Sequence, residues 1–333
     1  MEIFVPRYYR EFHCVASACP DSCCKEWDVT VDPASAARYR ALPGELGDAL
    51  RAALLDEDGE TVMVQQDGRC PMWRDDGLCR IQAQLGEHAL CQVCRDFPRL
   101  RHDYGDFVEL GLELSCPEAA RLIFSAAPEA PIRSTLPGGS QPEYDAPVMD
   151  TLRRSRGEIL ALLQNSSLPI QHLLAVMLLY GYAVQEEIDG GEAAALDPKT
   201  MLAEARSLAQ PGDIRGILDF YGGLEILTDT WRSRLSTPLP VPRWDDALRP
   251  LARYAVERYW LQAVCDYDLV SRVKFIILTC TVVSILGGDT LGTAQLYSKE
   301  IENDADNMDA ILDGAYTSPA LTDVKLLGLL LEE

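Results

Sequence analysis

Residues 248–264, LRPLARYAVERYWLQAV, and residues 269–286, LVSRVKFIILTCTVVSIL, decide the fold class. Apolar side chains recur there at helical spacing over stretches too long for single strands, so both read as buried α-helices. Similar patterns at 151–163, 170–188 and 197–209 add further helices, and 324–331 reads as a last apolar helix that docks on the body. Proline-rich breaks around Pro211 and at Pro238, Pro240 and Pro242 separate these helices into groups. The expectation is a mainly α protein with a helical bundle-like body over 148–333.

Upstream the pattern changes. Residues 128–147 carry five prolines and the pair Gly138-Gly139, which reads as a linker or surface excursion. Residues 1–127 read as a separate module of mixed structure with a few short strands. Residues 26–31 (EWDVTV) suggest one strand, and Asp32 followed by Pro33 reads as an N-cap with proline at the first helical position. A short helix within 77–86 should close at Gly86. Val108, Leu110, Leu112 and Leu114 alternate with other residues at the period of a strand. After it, Ser115-Cys116-Pro117-Glu118 reads as a helix start, which sets Cys116 at a helix N-terminus where the dipole favours a thiolate.

That module holds nine of the eleven cysteines: Cys14, Cys19, Cys23, Cys24, Cys70, Cys79, Cys91, Cys94 and Cys116. Cys265 and Cys280 fall on apolar helical patterns and read as small core residues. The start, MEIFVPRYYREF, has neither the charged nor the apolar region of a signal peptide, and the longest apolar run, 275–286, is short of a bilayer span. A cytoplasmic setting is therefore expected. In a reducing compartment an odd number of thiols argues for metal ligation over a disulfide scaffold. Zinc and iron–sulfur clusters both take thiolates, and the spacing alone does not choose between them. His13 and His88 lie near cysteines without forming an i, i+4 pair, and read as surface histidines.

The net charge of −22 argues against binding to a phosphate backbone. No glycine-rich turn of dinucleotide-binding type is present, since Gly222-Gly223 and Gly287-Gly288 lack flanking parallel-strand patterns.

The segments FHCVASACPDSCCKEWDVTVD (12–32), CPMWRDDGLCRIQAQLGEHALCQVCRDFPR (70–99) and LELSCPEAARLIF (112–124) together resemble the flagellin lysine-N-methylase family. They resemble more loosely a wider group of zinc- or iron-chelating cysteine-cluster proteins. The resemblance implies S-adenosylmethionine-dependent methylation of lysine ε-amines on flagellin. It further implies an iron–sulfur cluster, of the four-iron type, held within Cys14, Cys19, Cys23, Cys24, Cys70, Cys79, Cys94 and Cys116. Cys91 stands outside the family motif. Eight thiols exceed the four ligands of one cluster, so either two sites exist or some cysteines are spare. Arg95 and Arg99, flanking Phe97-Pro98, are candidates to balance an anionic cluster or to hold the carboxylate of S-adenosylmethionine. The alternative is a zinc- or iron-binding protein with a structural, adaptor or metal-handling role and no methyl transfer.

Overall fold

The computed structural model describes residues 1–236 and 241–332, so Pro238 and Pro240 lie outside the described residues. The fold is mainly α, as the periodicity predicts. Its centre is the helix Leu269–Leu286, in which every residue up to Ile285 is buried. Asp268 opens it by accepting the N–H of Ser271, and Gly287, at φ 61°, closes it. By length and composition this helix is apolar enough to cross a bilayer, yet 89% of it is buried inside the protein. Its charges are satisfied at its flanks: Lys274 pairs with Asp323 at 3.0 Å and Arg272 with Asp266 at 2.7 Å.

Around it pack Ile170–Ile188, Leu248–Tyr259, Thr290–Tyr297 and Ala305–Thr317. The approach of Ile170–Ile188 is close, because a Cβ on Gly181 would stand 2.9 Å from Val273 Cγ2. Ala146–Asn165, Pro198–Leu208, Ile214–Gly222, Asp229–Leu235 and Asp323–Leu331 also belong to the body; Pro198–Leu208 and Asp323–Leu331 fall within a residue of their expected spans, whereas Ala146–Asn165 begins before the expected 151. Residues 248–264 divide into an α-helix to Tyr259 and a 3-10 turn, Trp260–Val264. Much of the acidic charge has a local purpose. Asp32, Asp145, Asp197, Asp213, Asp268, Asp289 and Asp304 each cap a helix by accepting a backbone N–H. A carboxylate there satisfies an orphan donor and suits the positive end of the helix dipole.

Residues 1–127 do not share one core. Tyr8, Phe12, Phe107, Leu112, Leu114 and the helix Pro117–Ser125 join the large helical core. A second, smaller core is built from Val29, Tyr39, Leu50, Met63, Met72, Ile81 and their neighbours. The expected strand over 26–31 shrinks to Val29–Thr30, which pairs with Glu60–Met63 in a three-stranded sheet completed by Leu54–Glu57. The other sheet has four strands in the order Arg99–Asp103, Phe107–Leu112, Glu2–Val5, Ile132–Thr135. Ile132–Thr135 lies in the proline-rich stretch read as a linker. It pairs antiparallel with Glu2–Val5 and so ties that stretch into the sheet.

Candidate functional site

The thiols lie on loops at the edge of the smaller core, where backbone pairing draws distant segments together. Cys70 N–H donates to the carbonyl of Cys24 at 2.8 Å, and Glu26 N–H to that of Gly68 at 3.1 Å, so the Cys23-Cys24 segment runs beside Cys70. A bridge between Trp73 and Cys79 folds the next loop back on itself. The helix Arg80–Leu85 follows and ends at Gly86. Asp32 then reaches across with both oxygens: Oδ1 accepts from Ser35 at the start of Pro33–Ala41, and Oδ2 from Gln92 at the start of Gln92–Asp96. One carboxylate therefore fixes the helix that carries Cys94 against the helix that follows Cys24. The two N–H groups hold its pKa down at about 2.

This folding gathers Cys24, Cys70, Cys79, Cys91 and Cys94 in the smaller core, with Cys23 at its rim. All eleven cysteines are free thiols. Within the group, thiols share hydrogen bonds. Cys24 bonds with Cys23 and Cys70, which lowers the pKa of those two and raises its own. Cys91 bonds with Cys94 in the same way, its own pKa falling and that of Cys94 rising. Burial raises Cys79.

Cys14, Cys19 and Cys116 form a second, looser set. Cys116 feels the charges of Cys19 and Cys14, and Cys19 feels Cys14 and Cys23. Cys116 does cap the helix Pro117–Ser125, but its thiol is pushed up to about 11 because burial outweighs the N–H groups of Ala119 and Glu118. The expected thiolate there is thus a thiol. Desolvation beats the helix terminus.

The donor set is right in kind for a thiolate-bound metal centre, because metal binding takes up deprotonated thiols. Among the described residues, however, no three Cys, His, Asp or Glu side chains converge on one point as the ligands of a single ion do.

Arg95 is exposed, with Asp96 at 3.9 Å, and Arg99 is exposed with its guanidinium 5.1 Å from the ring centre of Phe12. Neither ranks among the groups that most shift a thiol. Cys23 is lowered chiefly by its contact with Cys24, and Lys299 adds a smaller effect of the same sign. Lys299 comes from the helical body and is 3% exposed. It pairs with Glu26 at 2.6 Å and Asp21 at 3.1 Å and stands over the Trp27 ring. It sits in a π-helical turn, Ser298–Glu302, a local irregularity that sequence periodicity does not register. Cys91, outside the family motif, proves to be buried beside Cys94, as their CxxC spacing could have signalled. Of the two late cysteines, Cys280 is buried as expected, whereas Cys265 is exposed beyond the 3-10 turn.

A cavity of about 530 Å³ opens between the four-stranded sheet and the helices Pro117–Ser125, Ala146–Asn165 and Leu248–Tyr259. The strand just after Cys94 and the helix just after Cys116 both line it, through His102 and Arg121.

No family model matches the chain, and no solved structure matches it. Curated relatives do. The Lysine-N-methylase of Salmonella choleraesuis (strain SC-B67) is 35% identical over 130 residues, covering 36% of this chain and 32% of that protein. The Flagellar biosynthetic protein FliU of Salmonella muenchen is 34% identical over 131 residues, covering 36% of this chain and 75% of that relative. The chain belongs to the lysine-N-methylase family. A third relative, the Lysine-N-methylase of Salmonella typhimurium (strain LT2), is 35% identical over 127 residues. The match spans about a third of the length of the two lysine-N-methylases, 32% of each.

Proposed function

We propose that this chain is an S-adenosylmethionine-dependent protein-lysine N-methyltransferase that acts on flagellin in the cytoplasm and needs a cysteine-held metal centre, a four-iron cluster being the first choice and zinc the second. The observation that carries the reading is the similarity to proteins named Lysine-N-methylase and FliU, joined to the gathering of thiols from separate segments into one small core.

Cys23, Cys24, Cys70, Cys79, Cys91 and Cys94 would supply the ligands, with Cys14, Cys19 and Cys116 as a second set. A centre bound there would order the loops, and an iron–sulfur cluster would also supply one-electron chemistry. In a polar transfer the methyl carbon moves from the donor sulfonium to the lysine nitrogen, the sulfonium becomes a thioether, and the proton of the ammonium leaves beforehand. With an ordinary lysine pKa near about 10.4, the protein must desolvate that ammonium or place a base beside it.

The test is anaerobic purification with iron, zinc and sulfide quantitation, then incubation with flagellin and labelled donor. Methyl label on flagellin lysines from wild-type protein, lost in Cys70→Ala, Cys79→Ala and Cys94→Ala, is the expected result. Full methylation by those variants removes the metal requirement. Bound zinc with no methyl transfer puts the adaptor or metal-handling role in place of the enzyme.

A further inference from the structure

The cavity between sheet and helices holds charges of two kinds. Most are neutralised within the protein. Arg156 makes a bidentate pair with Glu109 at 2.6 and 2.8 Å, and Arg258 pairs with Glu302 at 3.1 Å. Two on the helix Leu248–Tyr259 make no direct ion pair among the described residues. Among the described residues no donor bonds to the Glu257 carboxylate, which meets Arg253 and Arg156 only through space. Its side chain keeps some surface because the cavity is open to solvent, but protein surrounds it, and burial pushes its pKa up. Among the described residues Arg253 makes no direct ion pair and meets the Glu257 charge only through space. Its guanidinium donates to the carbonyls of Ile123 and Ala126 at 3.0–3.2 Å, which anchors it at the end of Pro117–Ser125. Four residues apart, the two side chains share one helix face, about 6 Å apart at Cβ.

The surroundings add recognition groups. His102 lines the same cavity with a buried Nε2 that has no hydrogen-bond partner. Tyr8 also lines it, within reach of both the Glu257 and the Arg253 charge. A buried carboxyl with no hydrogen-bond donor, a cation with no direct ion pair and an orphaned imidazole nitrogen together mark a site built for a ligand, because buried polar groups otherwise find partners.

We propose that this cavity binds a small zwitterionic molecule of nucleoside size, its ammonium paired with Glu257 and its carboxylate with Arg253. A volume of about 530 Å³ suits a compact small molecule and exceeds what one amino-acid side chain fills. The identity of the ligand rests on the methyl-transfer reading, whose donor ends in an α-amino acid: the methionyl group of S-adenosylmethionine takes the Glu257–Arg253 pair, and its nucleoside lies toward His102.

The probes are S-adenosylhomocysteine, which keeps the amino-acid end, and 5′-methylthioadenosine, which lacks it. Calorimetry should show the first binding wild-type protein, and Glu257→Gln and Arg253→Gln each weakening it by about 10- to 100-fold, the value of a charged hydrogen bond. The second should bind weakly and alike to all three. Glu257→Gln is nearly isosteric and leaves the helix end untouched, so it carries the test if Arg253→Gln fails to fold.

No binding of S-adenosylhomocysteine, equal binding by wild type and Glu257→Gln, or methylthioadenosine binding as tightly as the homocysteine compound overturns the proposal. Labelled-methyl transfer to flagellin is measured in parallel. Transfer with a binding profile indifferent to Glu257 sinks the site and spares the function. Glu257-dependent binding with no lysine methylated does the reverse.

Discussion

The two cores of this chain are stabilised on different terms. The large one surrounds Leu269–Leu286 with apolar helices and fills its interior with Trp231, Trp260, Tyr180 and Phe275. Close packing of that kind supplies stability directly. The small one has Tyr39, Leu50 and Met72 at its centre but gives up much of its edge to thiols on short loops. It is held by specific polar ties: Asp32 to two helix ends, Tyr39 Oη to the carbonyl of Ala89 at 2.8 Å, and Lys299 to Asp21 and Glu26. A region given over to ligand atoms has fewer apolar contacts, and each polar tie matters more there.

The largest test of this contrast is Trp260→Ala. Trp260 is fully buried and donates Nε1–H to Ser155 Oγ at 3.0 Å, so its loss should lower stability by about 3–5 kcal/mol in denaturant unfolding. The metal content of the folded fraction should stay unchanged. A parallel fall in metal content would mean that the two cores are one cooperative unit.

Lys299→Met comes next. It removes the cation from Asp21 and Glu26 and should cost about 1.5–3 kcal/mol, the range for charge-assisted hydrogen bonds. Hydrogen exchange should speed up over 14–27 while Leu269–Leu286 stays protected. Uniform loss of protection would refute the seam.

Asp32→Ala should cost about 1 kcal/mol, as loss of an N-cap does. Because the folded pKa lies below the unfolded one, the stabilisation is present above about pH 3.8 and is lost as pH falls toward 2. The difference between wild type and variant should therefore shrink across that window in acid melts.

The smallest expected effect is the pH slope of Glu257→Gln. Burial raises the folded pKa of Glu257, so the native state binds the proton more tightly than the unfolded chain does. Wild-type stability relative to the variant is then greatest below about pH 4.5 and declines as pH rises through the folded pKa. A flat difference from pH 4 to 8 would show that this carboxyl is as well solvated as in the unfolded chain.

Local signals were the most legible. Asp32-Pro33 opens a helix because both preferences act within one turn, and Asp197-Pro198 opens another in the same way. The alternation from Val108 yields the strand Phe107–Leu112. Ile132–Thr135 escaped because a short edge strand among prolines acquires its identity only from its partner, Glu2–Val5. Cys116 was placed correctly on its helix, but its protonation was misjudged because burial is not a local property.

The sequence by itself determined the helical body, the cap at Asp32 and the crowding of nine thiols between Cys14 and Cys116, because periodicity, capping and cysteine spacing are written in residue type and order. Only the tertiary structure decided that Cys91 sits with Cys94, that Lys299 reaches the cysteine loop from the far end of the chain, and that Arg253 and Glu257 face one cavity with no direct ion pair. Charge balance and desolvation depend on what other segments bring close. No single stretch of sequence contains that information.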